Sequence, residues 1–123
     1  SDGSVTFATK DHTPQEEMER LAKGKEDSGL DYSIPECSLS RWFIQVGDMQ
    51  YAVCRSLEGP FATSKGIVSD PDVTTVRGEP GGIVVLGTDG IFEVMDNELI
   101  GKVTTKMRQN DVGAADTAKH LCS

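Results

Sequence analysis

Gly82-Ile83-Val84-Val85-Leu86-Gly87-Thr88-Asp89-Gly90-Ile91-Phe92-Glu93-Val94-Met95 decides how this chain is read. The run from Gly82 to Leu86 is mostly branched and apolar, which predicts a strand buried on both faces. It breaks at Thr88-Asp89-Gly90, so a carboxylate is delivered at the strand's C-terminal end, beside a residue free to turn sharply. Glu93 follows four positions later. Hard divalent cations such as Mg2+ and Mn2+ take oxygen ligands of this kind, one or two carboxylates at a time, with water completing the shell. Asp89 and Glu93 are therefore the candidate metal ligands. A plain strand followed by an Asp-Gly turn has the same spacing, because Asp-Gly is common turn chemistry.

Outward from that block, strands and helices are both expected. Residues 5–8 form a short strand candidate. Thr13-Pro14-Gln15-Glu16 announces a helix, with Thr at the N-cap, Pro at the first helical position and Glu closing a capping box. Met18, Leu21 and Ala22 share one face of it, and Gly24 is the expected stop. Residues 23–40 are polar, with glycines and Pro35, and read as a loop. Residues 41–46 and 49–54 are apolar stretches around Gly47-Asp48, which is hairpin chemistry. Residues 60–65 read as another loop. Residues 73–76 and 83–86 read as strands around the turn from Arg77 to Gly81.

Asp96 or Asn97 can cap a helix whose face carries Ile100, Val103 and Met107. Asn110 or Asp111 starts another, with Val112, Ala115, Ala118 and Cys122 inward. Strands and helices do not alternate strictly, so the expected class is α+β rather than a doubly wound sheet.

Composition narrows the function classes. Twenty acids against 12 bases give a net charge of −8, which argues against a nucleic-acid partner. No apolar run approaches the roughly 18 residues of a membrane span, and no secretory signal opens the chain. A cytoplasmic or nuclear setting and no membrane partner are expected. Cys37, Cys54 and Cys122 lack metal-ligand spacing and are odd in number, so they read as reduced thiols, with Cys54 in the core. Cysteine catalysis would need a base within hydrogen-bond reach, and His12 and His120 are the two histidines.

Four segments in register carry a resemblance. The block from Gly87 to Met95 resembles the Asp-Gly-hydrophobic-aromatic-acid-Val-Met signature of the metal-dependent Ser/Thr protein phosphatases, the type 2C family. Val5-Thr6-Phe7-Ala8-Thr9-Lys10-Asp11-His12-Thr13-Pro14 is similar to that family's strand and its Thr-x-Asp-His-x-Pro helix start. Met49-Gln50-Tyr51-Ala52-Val53-Cys54-Arg55-Ser56-Leu57 resembles its Leu-Ala-Val-Ser-Arg-Ala stretch. Gly66-Ile67-Val68-Ser69-Asp70-Pro71-Asp72-Val73 resembles its Gly-Leu-Val-Ser-x-Pro-Glu-Val.

The resemblance implies part of a two-sheet antiparallel β-sandwich flanked by helices. It also implies a Mg2+- or Mn2+-dependent hydrolase that cleaves phosphoserine and phosphothreonine of a phosphoprotein substrate by metal-bound water. Asp89 matches the family's metal-binding aspartate. Glu93 stands where the family usually has Asp, and Phe92 replaces the usual Trp as an expected core residue. Arg55 matches an arginine expected to hold structural hydrogen bonds, and His12 a residue that hydrogen-bonds at a helix start. The family's Asp-Gly-His-Gly-Gly motif would lie before Ser1, and its Gly-x-x-Asp-Asn-x-(Thr/Ser)-Val motif beyond Ser123. Residues 1–123 are thus expected to be a partial domain, inactive alone and prone to self-association through exposed sheet edges. The alternative is a non-catalytic, phosphatase-like interaction module, consistent with the departures at Glu58-Gly59, Phe92 and Glu93.

Overall fold

The computed structural model describes residues 2–28, 32, 33 and 35–123. The chain divides into two compact units, one of Lys10–Thr74 and one of Ser1–Thr9 with Thr75–Ser123. The class is α+β, with an antiparallel three-stranded sheet and helices.

In the unit Lys10–Thr74, helical hydrogen bonding begins where the sequence puts it. Glu17 N–H donates to the Thr13 carbonyl at 3.0 Å, and Glu16 N–H to the Thr13 hydroxyl at 3.3 Å. The Glu16 carboxylate does not close a capping box; it pairs with Lys10 at 2.7 Å. Helix α1 then runs over Met18–Ser28, past the expected stop at Gly24. The reason is packing: a Cβ on Gly24 would lie 2.6 Å from the Tyr32 ring, so the glycine makes room for the ring. The Ser28 hydroxyl donates back to the Gly24 carbonyl and continues the turn. Leu21 is buried, whereas Ala22 is exposed. The remainder of the expected loop at residues 29–31 and 34 lies outside the described residues.

Strands β1 (Glu36–Ser38), β2 (Arg41–Val46) and β3 (Met49–Tyr51) form a meander. The expected hairpin is present: Val46 faces Met49 across the two-residue loop Gly47-Asp48. Gly47 sits at φ 58°, the left-handed region that the first position of such a loop requires. The other turn was not expected. Ser38 faces Arg41 across Leu39-Ser40, at φ 51° and 64°, so two non-glycine residues hold positive φ to let β1 pair.

Residues 60–65 also differ from expectation. Pro60–Ser64 is a short helix, α2, which opens with Pro at its first turn and gives way to Gly66 after Lys65. Gly66 at φ 100° donates to the Thr63 carbonyl while Ile67 donates to Ala62, a glycine C-cap that turns Ile67 inward. Leu21, Ile44, Val46, Cys54, Ala62 and Ile67 make the core of this unit, with Tyr32 and Tyr51 against it. Burying each large aliphatic side chain contributes about 1.5–3 kcal/mol.

In the unit of Ser1–Thr9 and Thr75–Ser123, the sequence expectation is overturned at the strands. Residues 83–86 are not a strand; Val84 is 86% and Leu86 91% exposed. Residues 5–8 likewise form no strand, and neither do residues 73–76, where the chain passes from one unit to the other. β-propensity specifies a surface that suits pairing, and a strand forms only when a second backbone supplies the ladder. No such partner reaches these segments among the described residues.

The helices of this unit fare better. Helix α3 is the single turn Asp89–Phe92, and α4 covers Asn97–Gln109 with Asp96 as N-cap, its carboxylate accepting from Leu99 N–H at 2.7 Å. Ile100 is buried, with Val103 and Met107 half-buried, as the periodicity predicts. Helix α5, Ala114–Leu121, starts after Gly113 rather than at Asn110 or Asp111. That shift rotates its face: Thr117 and Leu121 are half-buried, while Ala115, Ala118 and Cys122 are exposed. Phe92 is 42% exposed and so is not the core residue expected.

Candidate functional site

Asp89 and Glu93 lie one helical turn apart. Thr88 is the N-cap of α3, in extended conformation, and its carbonyl accepts from Ile91 N–H at 3.1 Å. Asp89 opens the turn, and its carbonyl accepts from Glu93 N–H at 2.8 Å. Residues at i and i+4 share a helix face, so both carboxylates belong to one side of this turn. Both residues are exposed.

As a donor set, this pair suits one hard, hydrated cation held by two carboxylates. It does not suffice for a pair of ions. Among the described residues no group of three or more His, Cys, Asp or Glu is placed to hold a metal.

The unit Lys10–Thr74 holds a second cluster, which the sequence signalled only in part. Arg55 grips the Glu17 carboxylate with two parallel bonds, Nη2 to Oε1 at 3.0 Å and Nε to Oε2 at 3.1 Å. Its Nη1 donates to the Asp70 carbonyl at 3.1 Å and to Asp72 Oδ1 at 2.8 Å. Asp72 Oδ2 lies 2.7 Å from His12 Nε2. Arg20 also donates to Glu17 and reaches the Gly66 carbonyl at 3.0 Å.

These contacts shift the acids. Burial pushes the Glu17 carboxyl up, but hydrogen bonds from Arg55 and Arg20, with their charges, outweigh it and hold the group below its ordinary range. The His12 contact, then Arg55, holds Asp72 low as well. Backbone bonds bring the segments of this cluster together. Cys54 N–H donates to the His12 carbonyl, Val68 N–H to Cys54 and Ser56 N–H to Val68, with an Arg55–Val68 parallel bridge between. Arg55 thus has the structural hydrogen-bonding role expected of it. The His12 side chain holds a distant carboxylate rather than its own helix start.

A shallow hollow of about 290 Å3 beside this cluster is lined by His12, Arg55, Ser56, Ser69, Asp70 and Asp72. The Ser56 hydroxyl oxygen is buried without a partner among the described residues. Chemically the cluster is a chain of charge-assisted bonds that fixes side chains in place. Among the described residues it presents no nucleophile to a base. Glu17 and Asp72 were missed because their partner Arg55 stands 38 and 17 residues away in sequence. His12 and Arg55 were visible through the family motifs.

Cys54 is fully buried, and burial pushes its thiol up to about 11. A neutral, enclosed thiol is a packing group, as expected. Cys37 and Cys122 are exposed free thiols. No helix among the described residues is long and apolar enough to cross a membrane.

Comparison with known proteins agrees with the motifs. The sequence model of the protein phosphatase 2C family matches residues 1–123. No curated protein and no solved structure matches the chain. The family is one of protein phosphatases, hydrolases that are generally dependent on Mg2+ or Mn2+. With a match over its whole length, the chain belongs to the protein phosphatase 2C family.

Proposed function

We propose that these residues contribute Asp89, with Glu93 as a second ligand, to the Mg2+ or Mn2+ centre of a protein Ser/Thr phosphatase acting on phosphoserine and phosphothreonine. The supporting observation is the pairing of two exposed carboxylates on the α3 turn, inside the segment that resembles the family signature. A divalent cation bound there supplies a Lewis acid and lowers the pKa of its water. The chain's own part is to hold two carboxylate oxygens on one turn, with Thr88 fixing where that turn starts.

Two carboxylates hold a hydrated cation loosely, and phosphoryl transfer depends on positioning and charge stabilisation. The 123-residue polypeptide by itself therefore has negligible phosphatase activity. The test pairs an activity assay with a binding assay. Turnover of a phosphothreonine peptide at millimolar Mn2+ is expected to be at background. Water-proton relaxation is expected to detect weak Mn2+ binding that Asp89→Asn reduces at least about fivefold, one carboxylate being half of the donor set. Unchanged Mn2+ binding in Asp89→Asn would remove the metal role, and robust turnover would remove the inactivity.

A non-catalytic, phosphatase-like interaction module is the second reading. What favours it is the drift from the family pattern at Glu58-Gly59, Phe92 and Glu93. If Asp89→Asn leaves Mn2+ binding unchanged, this reading replaces the first.

A further inference from the structure

Helix α3 is a single turn, and Thr88, its N-cap, makes no side-chain bond to it. One turn fixes several dihedrals for very few hydrogen bonds, so a helix this short owes its order to packing. That packing is local. A Cβ placed on Gly87 would lie 3.2 Å from Ile91 Cδ1 and 3.2 Å from Phe92 Cε2, so both side chains close onto the Gly87 backbone.

Counted from Thr88, Gly87 is the residue before the N-cap and Phe92 is the fourth of the helix. These are the two positions that a hydrophobic staple joins, an apolar contact that fixes the angle at which the chain enters a helix. Here the residue before the cap has no side chain, and the ring rests on its backbone instead. Gly87 is not among the glycines at positive φ, so backbone conformation does not call for glycine at this position; the space does. Phe92 stands between Asp89 and Glu93, whose C=O and N–H are joined at 2.8 Å.

We infer that Gly87 and Phe92 are positioning residues for the candidate metal turn: their contact fixes where α3 begins, and so holds the Asp89 and Glu93 carboxylates on one side of it. That purpose rests on the metal reading above; the contact itself does not.

Two measurements on the full chain test this. Water-proton relaxation reads Mn2+ binding, and amide hydrogen exchange in the metal-free protein reads protection of Glu93 N–H. Phe92→Ala removes the ring, and Gly87→Val fills the space that the ring uses. Each is expected to weaken Mn2+ binding and to lower Glu93 protection, both about threefold, with the two carboxylates intact. The double variant is expected to lose no more than either single one, because one contact is broken only once. Gly78→Val adds the same side chain in the same unit, where nothing lies within 4 Å, and is expected to stay within about 1.5-fold of wild type in both readings. Thermal melting checks that the variants fold, and Phe92→Leu replaces Phe92→Ala if that variant does not. Unchanged Glu93 protection in both staple variants, additive losses in the double variant, or an equal loss in Gly78→Val overturns the inference. If Asp89→Asn weakens Mn2+ binding and the staple variants do not, the positioning role alone fails; if Asp89→Asn leaves binding unchanged, the metal reading fails and the positioning role with it.

Discussion

Arg55 and Glu17 meet through two parallel bonds, at 3.0 and 3.1 Å, although 38 residues separate them in the chain. This fork-to-fork geometry is open to arginine and not to lysine, whose ammonium is a point charge. The pair is largely enclosed within the unit Lys10–Thr74, with side-chain exposures of 16% for Arg55 and 10% for Glu17.

Removing Arg55 strands a buried carboxylate. Breaking such a pair from one side typically costs about 3–5 kcal/mol, and Arg20 remains to hold part of the Glu17 charge. Arg55→Ala is expected to destabilise the protein by about 3 kcal/mol, and Arg55→Lys to recover less than half of that. Urea unfolding at neutral pH reads both. A loss under about 1 kcal/mol in Arg55→Ala would mean the pair adds little beyond solvated ions.

Acid should weaken the same unit, and the direction follows from the shifts. Glu17 and Asp72 both ionise below their ordinary values of 4.5 and 3.8 in the folded chain. As pH falls past those values the unfolded chain takes up protons first, so protonation draws the equilibrium toward unfolding. The stabilisation is complete above the ordinary values and is lost as pH drops through the depressed ones. Glu17, being buried, carries most of it; Asp72 is open to solvent. Urea midpoints between about pH 6 and pH 3 should fall more steeply in the wild type than in Glu17→Gln. Equal slopes would contradict the assignment.

Alkali acts through Cys54 with the opposite logic. Its thiol ionises near 9.0 in the unfolded chain but only at about 11 when buried. Between those values the folded state keeps a proton that the unfolded state has lost, so stability declines as pH rises. A tenfold difference in acidity between the two states corresponds to about 1.4 kcal/mol, giving a loss of about 2–3 kcal/mol once both forms are ionised. Cys54→Ala is less stable at neutral pH but should lack this component of the alkaline slope. A thiol reagent at mildly alkaline pH should modify Cys37 and Cys122 rapidly and Cys54 only on unfolding. Three equally reactive thiols would show Cys54 to be open.

What the sequence made legible was local. The Gly47-Asp48 hairpin and the Asp96 cap of α4 are set by residues a few positions apart, and both are present. The family motifs singled out Asp89, Glu93, His12 and Arg55. Propensity misled at residues 83–86, because valine and isoleucine favour a pleated surface without supplying a neighbour. Gly24 misled for a related reason: its role is set by the Tyr32 ring, which reaches it from outside the helix. The β1 turn was invisible because Leu39-Ser40 has no residue that prefers positive φ. The Glu17–Arg55–Asp72–His12 chain joins positions up to 60 residues apart, and no spacing rule operates over that range.

That reach bears on how long the folded unit lasts. Bringing His12 to Asp72 closes a long loop, at an entropic cost that the two-residue hairpin hardly meets. The clasp is therefore expected to form late, after the barrier has been crossed. Loosening it should hasten unraveling while leaving the forward rate almost untouched, a split that the two limbs of a chevron plot for Arg55→Ala would display. The clasp governs lifetime more than speed of assembly, in the manner of a latch fastened once the door is shut.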